Sequence, residues 1–215
     1  LAPIEGKPFL AYLLKLLASA GLTRVVLCVG YRAQQIEQWL GDGSRMGLNV
    51  CYSCEREPMG TAGALRFAYS RYARGERILA MNGDSILRLS LAAMWDQHIR
   101  REAEATIALA HVPDTSRYGS VEVNEQGWVT SFREKSSEPS AGFINGGVYL
   151  LEPSFMELFP EGRPASLERE VFPSQLSRGL LAFKADGYFI DIGVPQDLVR
   201  AQAELATAVS HDRGC

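Results

Sequence analysis

The chain has 215 residues, 47% of them hydrophobic and 22% charged, enough apolar material for one sizeable core and too little charge for a disordered segment. With 22 Lys and Arg against 25 Asp and Glu, the formal charge of −3 excludes a broad electrostatic footprint for nucleic acid or an anionic membrane, while leaving room for a locally basic phosphate cleft. No apolar run approaches the length of a membrane span, and the start lacks the charged and apolar regions of a signal peptide. The expectation is a cytoplasmic protein that contacts neither nucleic acid nor membrane, with a homo-oligomer left open.

In chain order, Pro8 to Ala20 reads as a helix, with Leu10, Leu13, Leu14 and Leu17 at three- and four-residue spacing and Gly21 as its stop. Val25–Val29 follows as an apolar strand, then a helical pattern over Ala33–Leu40 and a strand near Leu48–Tyr52. A helix from Thr61 to about Tyr72, a strand at Ile78–Met81, a helix over Leu91–Arg101 and a strand at Ala105–Ala110 continue the alternation. Strands that are apolar on both faces and alternate with helices predict an α/β doubly wound layout. The theme then changes. Gly119–Val123, Trp128–Phe132 and Phe143–Leu151 are short strands, the first two joined by a turn sequence at 124–127, so antiparallel strands enter the sheet in the second half. Pro195 opens a final helix with Leu198, Ala201, Leu205 and Val209 on its apolar side. Nothing splits the chain, so residues 1–215 are expected to form a single domain.

Cys28, Cys51, Cys54 and Cys215 are few for this length. Cys51 and Cys54 have CxxC spacing but lack both the second ligand pair of a zinc site and the helix that a redox motif opens. His98, His111 and His211 stand apart from any Cys, Ser or carboxylate at catalytic spacing and read as surface or satisfied core residues.

Four segments carry the chemistry. Glu57-Pro58-Met59-Gly60-Thr61-Ala62-Gly63 is a proline-glycine turn that opens a helix, where unpaired N–H groups face outward and two glycines admit close approach of a planar ligand. Met81-Asn82-Gly83-Asp84 ends an apolar strand with a carboxylate at its carboxyl end, where open α/β sheets bind ligands. Asn145-Gly146-Gly147 lies in the strand Phe143–Leu151 with glycines that allow backbone approach, and Asp191 sits among Phe189, Ile190 and Ile192, where an acid is costly to bury without a cation or donor.

In this order the segments resemble the sugar-1-phosphate nucleotidyltransferases, most closely the branch that makes GDP-activated D-glycero-α-D-manno-heptose. The resemblance runs from Leu1 to about Leu205. It implies the nucleotide-diphospho-sugar transferase fold, a Rossmann-like mixed but mostly parallel sheet with helices on both faces. It implies GTP and a sugar 1-phosphate as substrates, with Mg2+ held by Asp84 and Asp191. By the same resemblance Glu57, Pro58, Gly60, Thr61, Ala62, Asn82 and Gly83 meet the nucleotide. Tyr118, Gly119, Glu134, Asn145, Gly146 and Glu168 meet the sugar, and Lys135 meets its phosphate and joins the two aspartates as catalytic. Mannose-1-phosphate guanylyltransferase is the alternative, and a catalytically silent sugar-nucleotide-binding subunit the alternative of another class.

The chain departs from the family in two respects. The family opens with a strand and a Gly-Gly-x-Gly-Thr-Arg loop that wraps the triphosphate, and neither stands upstream of Leu1-Ala2-Pro3-Ile4. Leu1 is not a methionine, so the sequence reads as a piece of a longer product that would be inactive alone. The Trp common before the second metal Asp is replaced by Phe189-Ile190, which suits the heptose branch.

Overall fold

The computed structural model describes residues 2–55, 57–133, 135 and 138–210. In chain order the elements are β1 (Pro3–Ile4), β2 (Lys7–Pro8), α1 (Phe9–Ser19), β3 (Arg24–Val29), α2 (Ala33–Leu40), β4 (Asn49–Cys54), α3 (Gly60–Tyr72), β5 (Ile78–Met81), β6 (Ser85–Leu87) and α4 (Leu91–Arg100). Then come β7 (Ala105–Val112), β8 (Ser120–Val123), β9 (Val129–Arg133), β10 (Gly142–Leu151), the short helices α5 (Pro153–Met156) and α6 (Phe172–Ser174), β11 (Leu180–Ala185), β12 (Phe189–Asp191) and α7 (Pro195–Ser210). Among the described residues no helix is long and apolar enough to cross a membrane.

The chain divides into two compact units. The first comprises Leu1–Cys54, Asn82–Ile86 and Tyr188–Cys215. In it β3 and β4 pair in parallel, Val25 opposite Val50 and Leu27 opposite Tyr52. These residues bury one face against Leu14 of α1, Leu40 of α2 and Leu48. Val25 and Val50 are β-branched and suit a strand, and burying each such side chain stabilises by roughly 1.5–3 kcal/mol. The α7 helix contributes Ala201 and Leu205, both fully buried, and Gln202 ties it to the β1–β2 turn by bonding the Glu5 N–H and the Pro3 carbonyl. The strands β6 and β12 pair with each other.

The second unit, Glu55–Met81 and Leu87–Gly187, holds a four-stranded sheet in the order β11-β7-β10-β5. β11 runs parallel to β7, whereas β10 is antiparallel to both β7 and β5, so three strands share one direction and β10 opposes them. That agrees with antiparallel strands entering late in the chain. β8 and β9 form the hairpin predicted from the turn at 124–127. The strand β11 has no counterpart among the predicted elements, although Leu180-Leu181-Ala182-Phe183 is an apolar run of strand length.

The two faces of β7 explain why both need helices. Ala105, Ile107 and Leu109 point into a core with Tyr69 of α3, Tyr149 and Leu151 of β10, Phe155 and Phe172. Thr106 lies on the opposite face, where α4 packs and His98 bonds its hydroxyl. A strand buried at every position but His111 is thus covered on both sides.

His98 is fully buried between two groups. Its Nε2 lies 2.9 Å from Glu152 Oε1 and its Nδ1 2.7 Å from Thr106 Oγ1. A carboxylate only accepts, so Nε2 carries the proton and Nδ1 accepts from the threonine hydroxyl, the arrangement of a neutral ring. Burial pushes the ring's pKa down, more than its bond to Glu152 raises it. For Glu152 burial acts upward, but hydrogen bonds from Arg77 and His98 hold its carboxyl below the ordinary value. Both groups bind protons less readily folded than unfolded, so the stability they contribute is full above the unfolded values and lost as pH falls through the folded ones. The midpoint of thermal unfolding should therefore drop by several degrees between about pH 7 and pH 5, where an unfolded histidine with its pKa near about 6.5 takes up a proton. His98→Gln should flatten that dependence. An acid slope as steep in the variant as in the parent would contradict the assignment.

Candidate active site

The expected site residues divide between the two units. Asn82, Gly83, Asp84 and Asp191 lie in the first. The β5 strand ends at Met81, Asp84 directly precedes β6, and Asp191 closes β12. The Ile192 N–H donates to the Asp84 carbonyl at 2.8 Å, so pairing of β6 with β12 holds the two acidic residues side by side in the backbone. Asp84 is exposed and Asp191 half-buried. The cost of placing an acid in the Phe-Ile-Asp-Ile run is met by a turn. The Gly193 N–H donates to Asp191 Oδ1 at 2.6 Å, and a Cβ at position 193 would come within 2.9 Å of that oxygen.

Magnesium prefers hard oxygen ligands, takes one or two carboxylates and keeps other positions for water and substrate phosphates. Asp84 and Asp191 fit that donor set, since the bond from Gly193 occupies one Asp191 oxygen and leaves the other for a cation. Among the described residues no group of three or more His, Cys, Asp or Glu gathers as a metal site. Cys54 is free and exposed, with its Sγ 3.5 Å from Glu37 Oε1, and burial together with that carboxylate raises its thiol pKa.

The second unit holds the turn at 57–63 and the expected sugar-contacting residues. Here the structure corrects one expectation. The opening of α3 does not present all its N–H groups outward, because those of Ala62 and Gly63 both donate to the Ala165 carbonyl, at 3.0 and 3.4 Å. The Ala165 N–H in turn donates to the Met59 carbonyl at 2.9 Å, and Glu55 Oε2 takes the Met59 N–H. The glycines therefore serve contact within the protein. Gly60 has φ of +65°, and a Cβ there would stand 2.5 Å from the Ala165 carbonyl oxygen; a Cβ on Gly63 would stand 2.8 Å from that of Arg163. Glu57, Pro58, Gly60 and Thr61 remain exposed, while Ala62 is buried.

The segment anchored by Ala165 delivers Ser166, Leu167 and Glu168 to Thr61. The Leu167 N–H donates to Thr61 Oγ1 at 3.0 Å, and the hydroxyls of Thr61 and Ser166 donate to Glu168 Oε2 at 3.3 and 3.1 Å. The other Glu168 oxygen accepts from the Tyr149 hydroxyl at 3.4 Å, and that hydroxyl accepts from Asn145 Nδ2 at 2.8 Å. Glu168 belongs to a single π-type turn, Leu167–Val171, rather than to a regular helix. One polar chain thus joins Thr61 of the expected nucleotide turn to Asn145 of the expected sugar turn. Tyr149, 1% exposed, is the member that the sequence pattern missed.

Asn145 and Gly146 stand where the register of β10 against β7 slips between Asn145 and Tyr149. Such a bulge re-aims side chains beside a site. A Cβ on buried Gly146 would meet Leu87 at 2.4 Å and the Ala108 carbonyl at 3.0 Å, so this glycine also serves packing. Tyr118 and Gly119 form a turn in which both N–H groups donate to the Thr115 carbonyl at 3.0 Å. Lys135 is exposed just beyond β9, and Glu134 lies outside the described residues. A surface concavity of about 580 Å³ lined by Asn124, Trp128, Thr130 and Arg178 contains none of the expected site residues.

Strands alternating with helices, with parallel and antiparallel pairs mixed in one sheet, define an α/β protein. A family model, nucleotidyl transferase, matches residues 1–208, and the chain belongs to that family. It is 36% identical over 206 residues to the D-glycero-alpha-D-manno-heptose 1-phosphate guanylyltransferase of Aneurinibacillus thermoaerophilus, covering 95% of this chain and 88% of that protein. It is 35% identical over 211 residues to the mannose-1-phosphate guanylyltransferase of Mycobacterium tuberculosis, covering 97% of this chain but only 58% of that longer relative. The crystal structure of HddC from Yersinia pseudotuberculosis superposes with a TM-score of 0.83 at 30% identity, covering 94% of this chain and 88% of that one; HddC has also been solved complexed with GMP-PN. The nucleotide-diphospho-sugar transferase fold is therefore the fold of this chain.

The contact of Gly60 with Ala165 yields a stability prediction. Gly60→Ala combines a positive φ with a collision against backbone, and should lower the unfolding free energy by about 1–3 kcal/mol or more. Urea denaturation measures this. An unchanged midpoint would show that the Ala165 segment is not seated against the turn.

Proposed function

We propose that the chain transfers GMP from GTP to D-glycero-α-D-manno-heptose 1-phosphate with release of pyrophosphate, as a cytoplasmic enzyme serving bacterial surface-glycan synthesis. The observation that carries this reading is the bond from the Ile192 N–H to the Asp84 carbonyl, which sets Asp191 and Asp84 in neighbouring backbone, in a chain whose match covers 88% of a heptose 1-phosphate guanylyltransferase. Mannose 1-phosphate is the second reading, favoured by the similarity to the mycobacterial protein. The two sugars differ by one hydroxymethyl unit, a difference that pocket shape alone reads and that discriminates modestly.

In the reaction an oxygen of the sugar phosphate attacks the α-phosphorus of GTP, the bond from that phosphorus to the β-phosphate oxygen breaks, and pyrophosphate leaves. The attacking phosphate is already ionised, so no protein nucleophile or general base is required. Positioning and charge compensation are what remain for the protein to supply. Asp84 and Asp191 hold Mg2+, which when bound neutralises the triphosphate and the charge gathering on the leaving group. Glu57, Pro58, Gly60, Thr61 and Ala62 with Asn82 and Gly83 receive the nucleotide. Tyr118, Gly119, Glu134, Asn145, Gly146 and Glu168 receive the sugar, whose phosphate meets Lys135 as a point charge.

Two substitutions test this division of labour. Asp191→Asn keeps the shape of the side chain and its bond from Gly193 but weakens the hold on a cation, so magnesium-dependent pyrophosphate release should fall by about two orders of magnitude with the fold intact. Lys135→Ala should raise the KM for the sugar phosphate and leave that for GTP nearly unchanged. Turnover near the parental rate in the first variant, or a selective loss of GTP affinity in the second, would overturn the respective role.

A further inference from the structure

We propose that Tyr149 and Thr61 are positioning residues that clamp Glu168 through its two oxygens, so that the sugar-binding carboxylate is aligned from the nucleotide turn on one side and from the sugar turn on the other. This inference rests on the function proposed above and assigns residues to it that sequence pattern alone does not.

The geometry is specific about which groups are committed. Glu168 accepts from Tyr149 at one oxygen and from Thr61 and Ser166 at the other, so rotation about its terminal bond would break bonds on both sides. An ionised carboxylate has about four acceptor sites, which leaves capacity for a substrate hydroxyl. The Asn145 amide is likewise fixed. Its oxygen accepts the Gly147 N–H at 2.9 Å and one of its N–H groups donates to Tyr149, a pattern that sets the flip of the amide and leaves its second N–H for a ligand.

Tyr149 can hold this place because its ring is anchored. The side chain is buried, with its centroid 5.2 Å from that of Phe172, which itself stacks on Phe132 and tilts against Phe155. A ring so packed carries a hydroxyl whose position is set by the core. Thr61 is placed with equal firmness, its Oγ1 accepting the Leu167 N–H at the first turn of α3. The bond that orients Glu168 from the nucleotide side therefore comes from the turn expected to receive GTP, and the two substrates address one connected set of hydrogen bonds.

The test is a double-mutant cycle in the intact protein, with Tyr149→Phe and Thr61→Val made singly and together, and KM for sugar 1-phosphate, KM for GTP, kcat and the thermal midpoint measured for each. Tyr149→Phe should raise the KM for the sugar phosphate about tenfold, the scale of a lost hydrogen bond to a charged group, while GTP affinity and the thermal midpoint stay close to parental. Because both hydroxyls restrain the same carboxylate, the double variant should lose clearly less kcat/KM than the product of the two single losses. Three results would overturn the inference: an unchanged sugar-phosphate KM in Tyr149→Phe, strictly multiplicative losses, or a fall in thermal midpoint with kinetics intact. If Tyr149→Phe behaves as the parent while the parent releases pyrophosphate with a sugar 1-phosphate, the clamp fails and the proposed function stands. If the parent uses no sugar 1-phosphate at all, the function fails and the clamp with it.

Discussion

The carbonyl of Ala165 is the constraint on which the second unit depends. It takes two N–H groups at the opening of α3, while the Ala165 N–H returns a bond to Met59. A helix start leaves four N–H donors without partners, and this one answers two of them with a distant strap of chain instead of a capping side chain. Two consequences follow directly. Positions 60 and 63 must lack a Cβ, and the residues after Ala165 arrive in reach of Thr61. A glycine turn that resembles a ligand cradle is thus first a joint between two segments, and whatever it offers to a nucleotide it offers as part of that joint.

The first unit solves a different problem, how to bring two acidic residues into neighbouring backbone. Asp84 and Asp191 meet through β6 and β12, short strands whose pairing fixes the backbone and leaves the side chains within reach of solvent. In the reaction proposed above the substrates bring negative charge to one place, and the protein would contribute orientation and a bound cation instead of a nucleophile.

Most of the regular structure was legible in the sequence for a plain reason. The helix at Ala33–Leu40 and the strand at Ile78–Met81 appear with the predicted bounds, and Gly21 and Pro195 mark a helix end and a helix start as their conformational limits require. What sequence pattern missed depends on distant partners. Tyr149 reads as one more large residue in an apolar strand, and its hydroxyl acquires meaning only because Glu168, 19 positions later, turns toward it. Gly60 reads as an invitation to a ligand because the Ala165 carbonyl is 105 positions away in sequence and local rules cannot see it. Asp191 was legible as an acid in an apolar setting, but the turn through Gly193 that keeps it half-exposed was not. Glu168 falls in a π-type turn that propensity reads as ordinary helix.

The central claim is that this member of the nucleotidyl transferase family couples GTP to a heptose 1-phosphate. The most direct measurement is pyrophosphate release by the intact protein across a panel of nucleoside triphosphates and sugar 1-phosphates, with magnesium present and removed. The account predicts the highest kcat/KM for GTP with D-glycero-α-D-manno-heptose 1-phosphate, a lower value with mannose 1-phosphate, and loss of release when magnesium is chelated. Preference for UTP or dTTP with a glucose phosphate, or release that persists without a divalent cation, would contradict it.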